Sequence, residues 1–316
     1  MSLAGAMLVA MALDALLGWP DAVYRRIGHP VTWAGRLIAL LDRRWNDPDA
    51  PCARRRSRGV AATLITVGLA LGLGWLVQAW VPGNGAGTLI LGVLAWPLIA
   101  LRSMHDHVQA VARPLARGDL PAARHAVAMI VGRDPARLDS AGVARAATES
   151  LAENTSDGIL APLFWGVVAG LPGIAAYKAI NTLDSMIGHL TPRHGAFGWA
   201  AARLDDVVNW VPARLTGLIF ALVSGAASRA LRCMARDARN HRSPNAGWPE
   251  AAMAGALGVR LSGPRIYGDT VSAEPWVNEG APDPTPQDLT RALALYRRAM
   301  IAVAVGVLAL MAGTGW

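Results

Sequence analysis

The sequence predicts an all-α, polytopic integral membrane protein with about four to six membrane helices. Three observations lead to this fold class: the composition, the long apolar runs and the arginine clusters beside them. Of the 316 residues, 53% are hydrophobic and 16% are charged, and the mean hydropathy is +0.32. Soluble domains carry charge on about a quarter of their residues. We therefore expect a single membrane-embedded domain over residues 1–316, with sizeable cytoplasmic helical and loop segments.

The apolar runs give the membrane segments in chain order. They are residues 1–17, 59–81, 87–101, 159–176, 211–228 and 299–313. The first run lacks the basic residues and the small-residue cleavage site of a removable signal peptide, so it is interpreted as a membrane helix. The turn sequence Pro82–Gly85 predicts a hairpin between the second and third runs.

The fourth run differs from the others because it contains Pro162 and the sequence Gly170–Gly173. Its 18 residues reach about 27 Å as a helix, against about 30 Å for the hydrocarbon core. We expect a broken helix here. A tilted span and a re-entrant helix covered by protein both remain open.

The arginine clusters set the predicted orientation. Residues 18–58, 102–158 and 229–298 are arginine-rich, and the positive-inside rule places such stretches in the cytoplasm. The net charge is +8, and the basic residues that produce it lie beside apolar runs. We therefore expect a membrane protein and no nucleic-acid partner.

The cytoplasmic stretches carry weaker signals. We expect helix breaks at Pro114, Gly118–Asp119 and Gly132–Pro135, and a loop over residues 240–285. Cys52 and Cys233 lie in arginine-rich stretches and are expected as free thiols.

A first polar cluster precedes the fourth apolar run. Glu149, Glu153 and Asp157 are spaced four residues apart, so on one α-helix their carboxylates would share a face. Like charges stacked in this way repel unless a cation neutralises them, and Mg²⁺ with phosphate oxygens would do so. The alternative is a solvated acidic face capped by Asn154 and its neighbours. Direct attachment to an apolar run favours a site.

A second polar cluster follows the same run. Lys178, Asn181, Asp184 and Ser185 fall on one helical face, and Lys178 is the only lysine in the chain. A lysine, an amide and a carboxylate together suit a phosphate or an anionic substrate. The alternative, a Lys–Asp pair that only holds helices together, remains open.

A third cluster begins the fifth apolar run with Asp205, Asp206, Asn209 and Arg214. The two acids could instead stabilise a helix N-terminus through its dipole.

Two further segments carry candidate ligand contacts. His29 and Arg36 open an amphipathic segment that either meets an anionic ligand or lies on the membrane. Asn245 and Trp248 lie in a turn-rich loop suited to covering a flat ligand. The chain has no Walker A loop, no HExxH sequence and no zinc-ligand spacing.

These sequence segments together resemble those of the CobD/CbiB family, the membrane-bound cobinamide (phosphate) synthases of cobalamin biosynthesis. The resemblance covers most of the chain, and its segments occur in the family's order. They are His29–Arg36, Glu149–Gly158, Tyr177–Gly188, Asp205–Arg214, Ser243–Glu250 and Gly263–Gly268.

The resemblance implies an amide-forming ligase. It would join (R)-1-amino-2-propanol or its O-phosphate to the f propionate carboxyl of adenosylcobyric acid, with ATP and Mg²⁺ as expected drivers and a corrinoid as substrate. The expected setting is the cell inner membrane, with several spans and a site facing the cytoplasm. Further expected partners are the lipid bilayer, other cobalamin-pathway membrane enzymes and a second copy of the chain.

Side-chain chemistry and the resemblance together give the predicted site. The catalytic set is Glu149, Glu153, Lys178, Asp184, Asp205 and Asp206. The substrate-binding set is His29, Arg36, Asn154, Asn181, Ser185, Asn209, Arg214, Asn245 and Trp248. The metal set is Glu149, Glu153 and Asp157.

The predicted roles differ among these residues. The metal set would hold Mg²⁺ and phosphate, with Asp184 helping. Lys178 would bind a phosphate or the developing oxyanion, and Asn154 and Asn181 would orient substrate. Asp205 or Asp206 would take the proton of the amine.

The alternative function is a membrane transporter or channel for a polar or anionic solute. Polar clusters on broken helices at membrane depth are typical of transporters. Against it, no internal repeat is evident, and the polar residues lie in long cytoplasmic stretches.

Overall fold

The structure is a computed structural model that describes residues 1–132, 134–267, 270–272 and 274–313, without the side chains of 265–267 and 270–272. It is 76% helical, which confirms the all-α fold class. The helices are α1 (Leu3–Leu17), α2 (Asp21–Ile27), α3 (Pro30–Trp45), α4 (Cys52–Ala79), α5 (Gly85–Ala95), α6 (Leu101–Ala116), α7 (Leu120–Val127), α8 (Ser140–Thr155), α9 (Ala161–Ile187), α10 (Trp199–Val208), α11 (Trp210–Val223), α12 (Ala227–Asp237), α13 (Gly247–Leu257) and α14 (Pro286–Gly313).

Short elements complete the described chain. Two 3₁₀ turns, Trp96–Leu98 and Ala238–Asn240, follow α5 and α12, and a π-helical turn, Ser156–Leu160, joins α8 to α9. The antiparallel strands pair as β1 (Leu261–Ser262) with β4 (Trp276–Val277), and as β2 (Arg265–Tyr267) with β3 (Thr270–Ser272).

Among the described residues, four helical stretches are long and apolar enough to cross a membrane, which supports a multi-pass membrane protein. They are Cys52–Ala79, Gly85–Ala116, Ser140–Ile187 and Pro286–Gly313. The number rises to six if α1 with α2–α3, and α10 with α11, each form one bent span. The prediction of four to six membrane helices is therefore confirmed.

Three details of the cytoplasmic predictions are settled. The breaks around Gly118–Asp119 and Gly132–Pro135 separate α6, α7 and α8, although Arg133 lies outside the described residues. The predicted break at Pro114 is wrong by two residues, because this proline lies inside the last turn of α6, which ends at Ala116. The prediction of a loop over residues 240–285 is also wrong, since this stretch contains α13 and strands β1 to β4.

Both cysteines are free thiols, as expected, but their environments differ. Cys52 is exposed, whereas Cys233 is buried in α12. Burial, reinforced by the neighbouring Asp237 carboxylate, raises the pKa of the Cys233 thiol to about 12. Cys233 is therefore protonated and unreactive at neutral pH.

The described chain divides into two compact units, each built from separate stretches of sequence. The first unit comprises Met1–Ala100, Ala161–Asn209 and the chain from Gly306. The second comprises Leu101–Leu160 and Trp210–Val305. Each unit is described by itself below.

In the first unit, one core cluster fixes the end of α9 that carries the second polar cluster. Leu183 and Ile187 of α9 pack with Ile38 of α3, Ala62 of α4 and Phe197, all of them almost fully buried. These contacts hold the polar face of α9 against its neighbours, because a packed core tolerates little displacement.

The expected break in the fourth apolar run lies at Gly170. This residue has φ 65° and ψ −147°, a conformation that favours glycine, and Pro172 follows it. The Leu171 N–H donates to Oε1 of Gln78 in α4 at 2.8 Å, which satisfies a group that the break removes from the helix. A Cβ at Gly170 would lie 2.2 Å from the same Oε1. The break is therefore confirmed, whereas the number of times that this run crosses the membrane stays a prediction.

Replacing Gly170 by alanine tests this arrangement. We expect Gly170→Ala to lower the free energy of unfolding by about 2–4 kcal/mol, because it adds backbone strain and a clash with Gln78. Gly72→Ala on α4 is the control, since an added Cβ there meets no atom within 4 Å. Thermal unfolding in detergent measures both. Equal melting of Gly170→Ala and Gly72→Ala would contradict the proposed role of the break.

Candidate functional site

In the first unit, a chain of hydrogen bonds links α9 to α10 through Asn209, the residue that follows α10. The Tyr177 hydroxyl donates to Oδ1 of Asn209 at 2.9 Å, and Nδ2 of Asn209 donates to Oδ2 of Asp205 at 2.9 Å. Tyr177 and Asn209 are each only 1% exposed. Two buried groups therefore fix the orientation of one carboxylate, because leaving either of them unpaired would be costly.

The other oxygen of this carboxylate has a different environment. Oδ1 of Asp205 is buried and has no hydrogen-bond partner among the described residues. A carboxylate oxygen is an acceptor that native structures rarely leave unmatched. This atom is therefore a candidate for a contact with a donor on a ligand.

Lys178 and Asn181 meet as predicted. Nζ of Lys178 donates to Oδ1 of Asn181 at 3.4 Å, which turns the amide NH₂ of Asn181 away from the lysine. Asn181 also approaches the Asp205 carboxylate. The lysine thus orients an amide beside the acid.

Asp184 and Asp206 lie close enough to Asp205 to repel its charge. Asp206 is paired with Arg203 at 3.3 Å, one turn earlier on α10. Within residues 1–132, 134–267, 270–272 and 274–313, however, no group of three His, Cys, Asp or Glu could hold a metal ion. The three aspartates form an acidic cluster without the spacing of metal ligands.

Three other predicted residues of this unit make local contacts. The His29 imidazole caps α3 by accepting from the Val31 N–H at 3.2 Å, and its ring contacts Trp19 edge to face. The Ser185 hydroxyl donates to the Asn181 carbonyl of its own helix at 2.8 Å. Arg36 is exposed on α3. The structure does not bring Arg36 or the Ser185 hydroxyl to Asp205.

In the second unit, Glu149 is 6% exposed and accepts from the Ser262 N–H at 2.8 Å. Ser262 has φ 56°, a left-handed conformation that costs a non-glycine residue about 1–3 kcal/mol. Its hydroxyl donates to Oε2 of Glu250 at 3.2 Å, and Oε1 of Glu250 lies 3.5 Å from Nε2 of His241. Glu149 therefore holds a strained strand end in a buried polar network.

Sequence reasoning missed this network. Its members Glu250 and His241 are separated from Glu149 by about a hundred residues, and Ser262 stands outside the quoted strings. The one sequence feature that could have indicated the network was Glu250, at the end of the segment Ser243–Glu250. A buried glutamate in an apolar alanine-rich helix needs partners, and this requirement predicts a polar network.

The three predicted carboxylates do not all lie on one regular α-helix, since α8 contains Glu149 and Glu153 but ends before Asp157. Glu149 is buried, Glu153 is exposed, and Asp157 is half-buried in the π-helical turn Ser156–Leu160. The π turn changes the backbone hydrogen bonding between Glu153 and Asp157, so the regular spacing of an α-helix does not apply to this pair. Because no three-ligand group occurs among the described residues, the metal role of these acids stays a prediction.

Asn154 lies on the surface of α8 beside Glu153. Its Nδ2 donates to the Ser150 carbonyl of the same helix at 2.9 Å. Its predicted substrate contact stays a prediction.

Three predicted residues of the second unit do come together. Nη1 of Arg214 donates to Oδ1 of Asn245 at 3.3 Å, and the guanidinium lies 4.5 Å from the ring centroid of Trp248. Its distance to the Trp210 ring, which is exposed, is 4.2 Å. Stacking between two indoles fixes a planar guanidinium, whose remaining donors match carboxylate, phosphate or amide oxygens.

A second arginine and tryptophan group lies at the base of the short strands. Arg145 and Arg260 both stack on Trp276, with distances of 4.6 and 4.2 Å to the ring centroid, and both pair with Asp283. Hydrogen bonds from Arg260, with the charge of Arg145, lower the pKa of Asp283.

Comparisons with known proteins agree with one another. The sequence model of a family described as CobD/Cbib protein matches residues 7–296. A cobalamin biosynthesis protein CobD of Rhodobacter capsulatus is 65% identical over 313 residues, covering 98% of this chain and 99% of the relative. Proteins of the same name from Brucella suis and Rhizobium meliloti are 48% and 47% identical, covering 91% and 86% of this chain and 90% and 86% of the relatives. No solved structure matches.

The Asp283 pairs predict an acid-dependent loss of stability. Because the folded-state pKa of Asp283 is lowered, its stabilisation is complete above the ordinary value of 3.8 and disappears as the pH falls through the folded value. We expect the wild type to be slightly more stable than Asp283→Asn at neutral pH, with the difference shrinking towards zero in acid. Unfolding of both proteins across this pH range measures it. If the difference in unfolding free energy between wild type and Asp283→Asn did not change with pH, the lowered pKa of Asp283 would be contradicted.

Proposed function

Since the chain belongs to the CobD/Cbib family and acts in cobalamin biosynthesis, we propose that it is the amide-forming ligase of that pathway. It joins (R)-1-amino-2-propanol or its O-phosphate to the f propionate carboxyl of adenosylcobyric acid. The product is adenosylcobinamide or its phosphate. Family membership over most of the chain and the Asp205 environment support the proposal.

The proposed chemistry has two steps. A carboxylate is a poor electrophile, because attack by an amine must expel oxide. Transfer of the γ-phosphoryl group of ATP to a carboxylate oxygen gives an acyl phosphate and ADP. The amine nitrogen then forms the C–N bond, the C–O bond to phosphate breaks, and the nitrogen loses a proton to a base. The protein contributes positioning, a base and neutralisation of developing charge.

The single observation that carries the proposal is the unmatched oxygen of Asp205. The carboxylate is oriented by Asn209 and indirectly by Tyr177, while Oδ1 has no hydrogen-bond partner in the described part of the chain. A buried, oriented acceptor of this kind suits two tasks: binding the ammonium group of the amine and accepting the proton that the nitrogen loses. Asp206 suits this role less well because it is paired with Arg203.

Lys178 and Asn181 support a phosphate or oxyanion contact. The Lys178 hydrogen bond fixes the Asn181 amide, and an oriented amide costs no reorganisation when charge develops. The lysine charge would attract the phosphate of the amine substrate or of ATP. Asp184, on the same face, would help to hold the cation that accompanies that phosphate.

Mg²⁺ fits part of the predicted ligand set. Glu153 is exposed and Asp157 is half-buried, and Mg²⁺ needs only one or two carboxylates beside phosphate oxygens. Glu149 fits poorly as a direct ligand because it holds the Ser262 N–H. When bound, Mg²⁺ would neutralise phosphoryl oxygens, and Glu153 and Asp157 would hold it.

The remaining parts of the proposal concern setting and recognition. Arginine-rich stretches beside the spans favour a site facing the cytoplasm of the inner membrane. The group of Arg214, Asn245 and Trp248 is proposed to contact the polar rim of the corrinoid, because its guanidinium matches amide and carboxylate oxygens. Assembly with a second copy or with other pathway enzymes is proposed as well.

Mass spectrometry of the reaction tests the activity. Purified protein with adenosylcobyric acid, aminopropanol phosphate, ATP and Mg²⁺ should form the condensed amide and ADP. We expect Glu153→Gln to raise the Mg²⁺ concentration required for half-maximal rate, whereas Glu279→Gln, an exposed acid elsewhere in the same unit, leaves it unchanged. No product with either amine and no ATP consumption would favour the transporter, which flux into sealed vesicles would then measure.

The Asp205 environment gives a separate prediction. We expect Asp205→Asn to lower kcat by about 10²–10⁴, the range of a lost general base. Tyr177→Phe should lower kcat by about tenfold with little change in KM, because the Asp205 carboxylate stays in place but loses part of its orientation. Asp49→Asn, an exposed acid on a loop, is the matched control. Wild-type kcat in Asp205→Asn, with folding verified by gel filtration, would remove Asp205 from the mechanism.

A further inference from the structure

The first unit contains a cavity of about 600 Å³ whose lining includes Lys178 but no other residue of the proposed reaction. Helices α2 to α5, the turn Trp96–Leu98 and α9 form its walls. Its volume lies in the range of ligand-binding sites, about 300–1,000 Å³. The cavity is therefore large enough for a bound molecule.

The lining determines which chemistry fits. It consists almost wholly of aliphatic and aromatic side chains, and Lys178 is the only charged one among the described residues. The hydroxyls of Thr66 and Thr182 donate to carbonyls of their own helices, at 2.9 and 2.6 Å. A corrinoid carries many amides that would lack partners here, so the main body of the occupant must be apolar.

The cavity opens on a lipid-facing surface. Leu73 of α4 and Val93 of α5, both in its lining, are 61% and 50% exposed. Only 22% of the apolar window of α4 is buried inside the protein. Because α4 is long and apolar enough to span the membrane, we expect hydrocarbon chains around this rim.

The polar side of the cavity points to a headgroup. The indole Nε1 atoms of Trp19 and Trp96 are buried and have no hydrogen-bond partner among the described residues, and both side chains line the cavity. Their rings contact each other at 5.5 Å. Two neighbouring donors require an acceptor, and the positive charge of Lys178 in the same wall favours an anionic one.

We propose that this cavity binds one anionic phospholipid, with an acyl chain in the apolar space and headgroup oxygens accepting from Trp19 and Trp96. Lys178 keeps its hydrogen bond to Asn181, and its charge biases the site towards anionic headgroups. The site shares Lys178 with the proposed ligase reaction, but lipid binding requires no turnover and is measured without ATP or corrinoid. It differs from general contact with the bilayer because it holds a single molecule with a headgroup preference.

Lipid retention tests the proposal. Protein purified in mild detergent is delipidated and exposed to phosphatidylglycerol or phosphatidylcholine, and bound lipid is counted by native mass spectrometry. We expect one phosphatidylglycerol per chain and weaker binding of phosphatidylcholine. Ala70→Phe fills the cavity from α4 and should lower binding at least about tenfold. Ala79→Phe, the same substitution on an exposed residue of α4 outside the lining, should leave it unchanged.

Two further variants keep the test decisive. Ala34→Leu fills the cavity from α3, in case Ala70→Phe fails to fold. Trp96→Phe removes one indole donor and should narrow the preference for phosphatidylglycerol. Equal lipid binding by wild type and both filled variants, or equal binding of the two lipids by wild type, would overturn the proposal. So would a lipid-free wild-type dimer that Ala70→Phe dissociates, because the cavity would then bind a second copy of the chain.

Discussion

The hydrogen bond from the Leu171 N–H to Gln78 is the interaction on which the first unit depends. A helix that breaks at membrane depth exposes backbone donors that hydrocarbon cannot satisfy. Gln78 supplies the acceptor, and Gly170 supplies both the unusual backbone angle and the space for that side chain. The part of α9 that follows the break carries Tyr177, Lys178 and Asn181.

The polar groups beyond the break stabilise one another in a fixed order. Tyr177 orients Asn209, Asn209 orients Asp205, and Lys178 orients Asn181. Each partner is buried or half-buried, so a wrong orientation would leave a donor or acceptor unpaired at a cost of about 1–3 kcal/mol. The arrangement ends at an acceptor, Oδ1 of Asp205, that lacks a partner among the described residues. An orienting network around one unmatched atom suits the base that we propose at Asp205.

The sequence predicted the parts of the fold that depend on local composition. Apolar runs gave the helices, and glycine with proline gave the break in α9, because both signals lie within a few residues. Long-range partners were not predictable: Leu171 and Gln78 are 93 residues apart, and Ser262 and Glu149 are 113 apart. Helix α13 was missed because it is buried on all sides and lacks an amphipathic period. Asp157 was placed on the same helix as Glu149 and Glu153 because no sequence pattern predicted the π turn that follows α8.

The single lysine illustrates how composition and geometry constrain each other. Every other basic residue in the chain is arginine, so Lys178 is an exception to a general substitution bias. A guanidinium carries five donors in a rigid plane and needs several acceptors around it. Lys178 lies in the wall of an apolar cavity, where Oδ1 of Asn181 is the acceptor that orients the amide beside Asp205. A compact ammonium provides the charge and one directed hydrogen bond there, whereas a guanidinium would bury donors among aliphatic side chains. The environment of residue 178 therefore favours a lysine over an arginine.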